Sequence, residues 1–497
     1  MKIIFCFLLQ IFLNYLTCAQ IIDSSFGNNG IFSHSFNENC LPISIHKKND
    51  GNYNVTFSLT QNSFSKVGSL ELQKFGIIQP NYGQAGLSII NSLNSENGLT
   101  SFIHDDNIFI GGSEFSNLNY FSMINSLNPM GNPNLTFGDM GKMKFKIEGG
   151  SQIFTISSNG INGFYSAGMS TLSGLPHAVV TKHNFNGSIN IEFGAAGSVI
   201  FDEIGDASYF TAISNLSDNS ILLGGNFISI SGAYDSLFLT RLDADASIDK
   251  EFGNNGFYKL PYNADQFDLS SLLEINESNI LICGSANFDN TKERIFRSKI
   301  DNKGNIIEDF GQNGTFIFPP SNENKRTICY KVVKFDSKNY LILGGTEIDG
   351  KMQPMLLLID EHGQINKTFG NNGVFLLLGE DGVFKDVALD ENSQNSLFLI
   401  SSLNGIKVLK LKFANLSAGR LYSTNKIKLY PNPSFEFIKI DTKSNDYKLA
   451  YICDDYGKKV WEGNIKILEN GLNISNFSSG SYFLFFNNSL VSKFIKF

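Results

Sequence analysis

Tryptophan is nearly missing from this chain of 497 residues, which holds one, and histidine and cysteine occur six times each. Cys6 and Cys18 fall in the N-terminal apolar stretch, and Cys40, Cys283, Cys329 and Cys453 are scattered without a Cys-x-x-Cys pair. That spacing indicates neither a zinc site nor a dense disulfide framework. Cys283 ends the run Asn279-Ile280-Leu281-Ile282-Cys283 and reads as a small buried hydrophobe. The histidines, His34, His46, His104, His177, His183 and His362, contain no His-Glu-x-x-His spacing. His177 and His183 lie six apart in one strand-and-turn, but a metal site needs a third ligand. No cofactor or metal is expected. Charge is sparse too, at 17% of residues with a net charge of -8, and there is no basic stripe. Nucleic-acid binding and adsorption to anionic membranes are disfavoured.

Long apolar runs are also lacking. The longest, Ile3 to Leu16, is too short and too polar at Gln10 and Asn14 to span a bilayer. With Lys2 before it and Thr17-Cys18-Ala19 before Gln20, residues 1–19 read as a secretory signal peptide. There is no Gly-x-Ser-x-Gly and no phosphate-cradling Gly-Lys-Ser/Thr. Ser44-Ile45-His46-Lys47 and Ser217-Asp218-Asn219 match two of the three signatures of a serine acyltransfer site, but the third, Lys-Thr-Gly, is missing. Asp105-Asp106, Asp202-Glu203, Asp243/Asp245 and Asp454-Asp455 are the neighbouring carboxylates that could serve glycoside hydrolysis. Each sits among turn residues, where a solvated loop is the simpler reading.

What the chain has instead is 46 glycines, 45 phenylalanines and a repeat. An aromatic-Gly-x-x-Gly core occurs at Phe26-Gly27 with Gly30, Tyr82-Gly83 with Gly86, Phe137-Gly138 with Gly141, and Phe193-Gly194 with Gly197. It recurs at Phe252-Gly253 with Gly256, Phe310-Gly311 with Gly314, and Phe369-Gly370 with Gly373, at intervals of 55 to 59 residues. The aromatic is a buried anchor, and the glycines supply the positive φ of a tight reversal. Asp23, Asn134, Asn190, Asp249 and Asn366, three positions earlier, suit Asx turns. The loops lack the repeated acidic ligands of a calcium site.

Between the loops the fourth unit offers Gly197 to Phe201, Tyr209 to Ile213, Ser220 to Gly225 and Leu237 to Leu242 as four short strands. Four strands per unit and seven units predict an all-β chain: a seven-bladed β-propeller over residues 20–420. Gly111-Gly112, Gly224-Gly225 and Gly344-Gly345 are placed at the ends of third strands, near a crowded axis. The Asp-x-x-Phe-Gly-x-x-Gly loops at this period resemble delta-60 repeats, found in large secreted bacterial proteins. Copy two departs with Tyr82 and Gln79, and copy six has Ile307 at the Asp position. The resemblance implies no catalytic residues.

Residues 421–428 read as a linker, and residues 429–497 differ in texture. Leu429-Tyr430-Pro431-Asn432-Pro433, Phe477-Ser478-Ser479-Gly480-Ser481-Tyr482 and the closing Lys493-Phe494-Ile495-Lys496-Phe497 stand in that order. Their alternation predicts a small antiparallel sandwich. These motifs resemble the type A C-terminal sorting domain of the Bacteroidetes type IX secretion system, with Phe477 where Leu is usual. The resemblance implies export through that machinery to the cell surface or the medium. The functional expectation is a secreted or surface-exposed, non-catalytic binding or structural module for an extracellular protein or glycan. The alternative is a carbohydrate-active hydrolase with carboxylates at the propeller channel.

Overall fold

The computed structural model describes residues 18–62, 64–158, 160–161, 163–202, 207–228, 236–260, 264, 266–287, 292–319, 325–389, 395–402, 405–415, 428–441, 449–454, 459–486 and 489–496. Residues 1–17 of the signal peptide expected over 1–19, linker residues 421–427, Glu203 and Asp455 fall outside the described residues, whereas Cys18 and Ala19 lie in a strand. The chain divides into two units. The larger comprises Asp23–Ile365 and Leu377–Lys410; the smaller holds the described parts of Met1–Ile22, Asn366–Leu376 and Leu411–Phe497.

The larger unit is built from one sheet plan used again and again. In the first sheet Asn39–Lys47, Tyr53–Gln61, Phe64–Leu72 and Leu87–Ile89 pair in chain order, each antiparallel to the next. The same plan starts again at Ser95–His104, Ser151–Ser158, Ala207–Asn215, Gln266–Asn276 and Thr327–Lys334. The seventh sheet takes Val383–Leu389, Asn395–Ser402 and Gly405–Asn415, and its outer place is filled by Ile31–Ser35 from the start of the chain.

Inner strands such as Asn339–Ile348 and Lys351–Asp360 are buried along consecutive residues rather than alternately. A strand of that texture is covered on both faces, so each sheet packs between two others. The apolar clusters follow suit. One joins Leu222 and Leu239 of the fourth sheet to Leu269, Ile282 and Phe296 of the fifth. Another joins Leu397, Leu399 and Val408 of the seventh to Ile45, Val55 and Phe57 of the first.

The repeated loop sits between the third and fourth strands of a sheet, not between sheets. Ser198–Phe201, read from sequence as the opening strand of a unit, pairs with Leu175–His183 as the last strand of the preceding sheet. The sequence repeat and the sheet are therefore one strand out of phase. In the loop around Phe252, Asp249 Oδ1 accepts the Glu251 N–H at 3.0 Å, as an Asx turn does. Gly253 and Gly256 take φ values of 59° and 95°, with Asn255 at 53° between them. A Cβ on Gly253 would stand 2.3 Å from the Phe257 carbonyl oxygen.

Four of the loops are also fastened to the next sheet. Gly27, Gly83, Gly138 and Gly253 donate their N–H groups to Phe75, Met130, Asn186 and Lys303 carbonyls at 2.7–2.9 Å. Those carbonyls belong to the turn ahead of the following loop, whose glycine lies flat on the aromatic. A Cβ on Gly304 would come within 3.1 Å of the Phe252 ring. All seven loop aromatics, from Phe26 to Phe369, are at most 2% exposed.

The Gly-Gly pairs lie mid-strand, not at strand ends by an axis. Gly344, in the second strand of its sheet, faces the Ile328 carbonyl oxygen, which a Cβ would approach to 1.8 Å. Gly112 and Gly225 meet the carbonyls of Asn97 and Tyr209 in the same way. A bulge in the first strand pushes each carbonyl across the ladder.

In the smaller unit, Cys18–Ile22 pairs with the far end of Gly405–Asn415, and Phe369 stacks on Phe413 with ring centroids 6.2 Å apart. Residues 428–496 form two further sheets, one ordered Lys428–Tyr430, Phe437–Asp441, Leu472–Asn473 and the other Lys459–Asn464, Leu449–Asp454, Gly480–Phe486, Ser489–Lys496. Their shared core holds Ile438, Ile440, Ile452, Leu484 and Phe494. The sandwich reading missed one element: a helical turn, Ile465–Asn470, capped by the Asn464 side chain and Gly471, which buries Ile465 and Leu468.

Candidate functional site

The first strands of the seven sheets share one irregularity. Each has an extra residue where it pairs with its second strand, at Ile43, Leu99, Phe154, Thr211, Ser270, Tyr330 and Lys385. A bulge re-aims its side chain and frees it from the ladder, which suits a site. Four of these residues are apolar or small, but Ser270, Tyr330 and Lys385 follow one another on successive sheets.

The first strands are also stitched together by side chains. His46 Nε2 meets Ser101 Oγ at 2.7 Å, Ile156 N–H donates to Thr100 Oγ1 at 3.3 Å, and Asn215 Nδ2 donates to Ser157 Oγ at 2.6 Å. Thr211 Oγ1 donates to the Leu269 carbonyl at 2.8 Å and Ser270 Oγ to the Cys329 carbonyl at 2.7 Å. Asp386 then serves two neighbours, accepting Lys331 Nζ at 2.5 Å and the Ile45 N–H at 2.9 Å. Every junction from the first sheet to the seventh, and from the seventh to the first, is bridged.

Beside this seam stands a small group of charges. Lys385 Nζ lies 5.3 Å from the centre of the Tyr330 ring. The Asp268 carboxyl is solvent-exposed, and its pKa is raised by partial desolvation and by Glu293, with Lys385 opposing the rise. Burial lowers the Lys385 amine against the pull of Asp386 and Asp268. Burial raises the Tyr330 hydroxyl, reinforced by Asp268 and Glu293. Glu293 itself is engaged by Arg326, whose Nη2 donates at 2.7 Å. Neither Asp268 nor Lys385 makes a hydrogen bond or ion pair among the described residues. An exposed carboxyl, an aromatic face and an amine lying over that face form a contact set for a polar ligand.

None of these residues stands out in the sequence, because a bulge is defined by its pairing. The available signal is the glycine forced opposite it, as Gly284 is by the Asp268 carbonyl oxygen, 2.3 Å from where its Cβ would lie.

The residues that do stand out serve the fold. Ser44 and Ser217 belong to the first and fourth sheets, and the Ser217 hydroxyl donates to Glu274 at 2.7 Å. Asp245 and Asp243 accept from Ser247 in a turn, and Asp105 and Asp106 form a turn with φ values of 49° and 57°. Among the described residues no three His, Cys, Asp or Glu side chains gather as a metal site. His183 is fully buried, with Nε2 2.7 Å from Ser166 Oγ and its ring on Phe164.

Burial pushes His183 down to about 3. The unfolded imidazole titrates near 6.5, so the fold gains stability above that pH and loses it as pH falls towards 3. Replacing His183 with Gln should therefore shrink the stability lost between pH 7 and pH 4 by about 3 kcal/mol. Urea unfolding at the two pH values measures it; equal losses in both proteins would count against a neutral buried imidazole.

In the C-terminal sheets the sorting motifs meet. Asn432 Oδ1 accepts the Ile495 N–H at 3.0 Å, and Ser434 N–H donates to the Ile495 carbonyl at 2.8 Å, so the Tyr430-Pro431-Asn432-Pro433 turn is tied to the last strand. Tyr482 stacks on Phe494, meets Phe477 at a tilt, and donates its hydroxyl to the Ser478 carbonyl at 2.7 Å. Gly480 pairs with Lys496. No helix among the described residues is long and apolar enough to cross a membrane. No curated protein matches the chain. Residues 428–497 match the family model of the secretion system C-terminal sorting domain. The chain thus carries a type IX secretion sorting domain at its C-terminal end and is exported to the cell surface or the extracellular space.

Proposed function

We propose that the exported part is a seven-bladed propeller of delta-60-like repeats acting as a non-catalytic binding module. Three lines support the ring: the sheet plan recurs at the period of the loops, the stitching runs through every junction back to the first sheet, and Ile31–Ser35 completes the last sheet. In a ring of this kind the bulged residues of the first strands surround the central channel.

The ligand site is then the polar sector made by Asp268, Tyr330 and Lys385. The observation that carries it is the Lys385 amine over the Tyr330 face, together with the exposed Asp268 carboxyl, neither side chain being engaged by a hydrogen bond or ion pair among the described residues. Such a sector suits a small ligand that stacks on Tyr330, offers a hydroxyl or amine to Asp268, and presents an oxygen to Lys385. The raised Asp268 carboxyl beside Glu293 favours, as second reading, a glycoside hydrolase with Asp268 as proton donor.

A glycan array with the full exported protein, followed by titration of any hit, tests both. Lys385→Met and Asp268→Asn should each weaken binding at least tenfold, about 1.4 kcal/mol, without changing the unfolding midpoint. Unchanged binding in both variants overturns the site. Product release from a glycan that stops in Asp268→Asn establishes the hydrolase reading instead.

A further inference from the structure

Cys283 lies in the middle of the second strand of the fifth sheet, and Cys329 sits at the bulge in the first strand of the sixth. Their Sγ atoms are 3.3 Å apart and both residues are buried. The backbone of Cys329 is held to the fifth sheet on both sides. Its N–H donates to Ser285 Oγ at 2.9 Å and its carbonyl accepts Ser270 Oγ at 2.7 Å. The sulfurs thus face each other because the sheets are locked in register. A modest side-chain rotation brings them to the roughly 2.05 Å of a disulfide.

Directly across the ladder from Cys283 is Arg297, which is 1% exposed. Its Nε and Nη2 donate to the Gly363 carbonyl and its plane covers Phe316, while Nη1 has no partner. The thiolate is the attacking species in disulfide exchange. Cys40 and Cys453 are buried elsewhere, in the first sheet and in the C-terminal sandwich.

We propose that Cys283 and Cys329 become joined by a disulfide that cross-links the fifth and sixth sheets of the exported protein. The inference rests on export, which carries the chain into oxidising surroundings, and not on the ligand site. One cysteine thiolate attacks a disulfide of an envelope thiol–disulfide oxidant, and one oxidant sulfur leaves as thiolate. The second cysteine thiolate then attacks the mixed disulfide and expels the other oxidant sulfur. Two electrons pass to the oxidant, which ends as a dithiol, and the two thiol protons go to its sulfurs or to water. The exchange belongs to the stage before the sheets close, because burial drives the Cys329 thiol well above its ordinary pKa once the sulfur is enclosed.

The full protein is purified from the host's medium or surface, unfolded in iodoacetamide without reductant, and digested with trypsin. The expected product links the peptide 260–292 to the peptide 327–331, lighter by two hydrogens than the sum of the two. Both cysteines fully alkylated, or a native mass increased by a bound metal ion, overturns the proposal. Urea unfolding adds an independent reading. Reductant should lower the midpoint of the natural protein and leave Cys283→Ser unmoved; a natural protein indifferent to reductant in urea also overturns it.

Discussion

Replacing Phe252 with Ala is expected to destabilise the protein by about 3–5 kcal/mol, the range for emptying a fully packed aromatic site. Phe252 has no exposed surface and belongs to the cluster that joins the fourth and fifth sheets. Its loss also undercuts a second contact, because the turn at Gly304 lies on its face and supplies the Lys303 carbonyl that receives the Gly253 N–H at 2.7 Å. Phe75 is the control: it is 52% exposed, and its replacement by Ala should change stability by no more than about 0.5 kcal/mol. Urea midpoints for the two variants decide the matter. A loss below 1 kcal/mol for Phe252→Ala would mean that the loop is not an anchor between sheets.

Removing the chain beyond about Gly419 should abolish export while leaving the repeat region folded. Among the described residues the core cluster of the C-terminal sandwich consists of its own residues, from Leu429 to Phe494, and the clusters of the repeat sheets contain none of them. The last strand of those sheets, Gly405–Asn415, remains in the shortened chain. The expected result is a soluble, protease-resistant protein retained by the cells, against full-length protein outside them. Cell fractionation with each chain in its native host measures the difference. Shortened protein found outside at the normal level would show that export does not depend on residues 428–497.

Much of the scaffold was legible in the sequence because its loops have strict local requirements. An aromatic, two glycines and a preceding Asp or Asn are demanded by burial, positive φ and the Asx turn, and no distant partner is needed to recognise them. Phase was not legible. Ser198–Phe201 follows its loop closely in the chain, but its partner Leu175–His183 precedes the loop, and only pairing reveals that. The turn glycines Gly76, Gly131, Gly187, Gly304 and Gly363 each stand six residues before a loop aromatic, a spacing that carries no meaning in the sequence alone. Their reason is the ring of the previous loop, a contact between repeats that composition does not express.

The charged group was less legible still. Asp268, Tyr330 and Lys385 come from three repeats and share no motif, and only strand pairing reveals that Tyr330 and Lys385 stand at the bulges of successive first strands, with Asp268 two residues before another. In the C-terminal sandwich, by contrast, the motifs that mark the family also touch one another, as Asn432 does the last strand and Tyr482 does Phe494.

The pairing of Ile31–Ser35 with Gly405–Asn415 sets a timetable for folding. The strands Cys18–Ile22 and Ile31–Ser35 wait for Gly405–Asn415 before they have a partner, so that sheet cannot form until residue 415 has been made. Joining ends so far apart carries a loop-closure entropy that grows only slowly with length, so distance itself is a small barrier. The risk lies in the interval, when two unpaired edges are present at once and a second chain can supply the missing strand. A secretion address placed after Gly405–Asn415 is made only when that strand already exists. The order of the chain thereby ties export to the moment at which self-completion becomes possible.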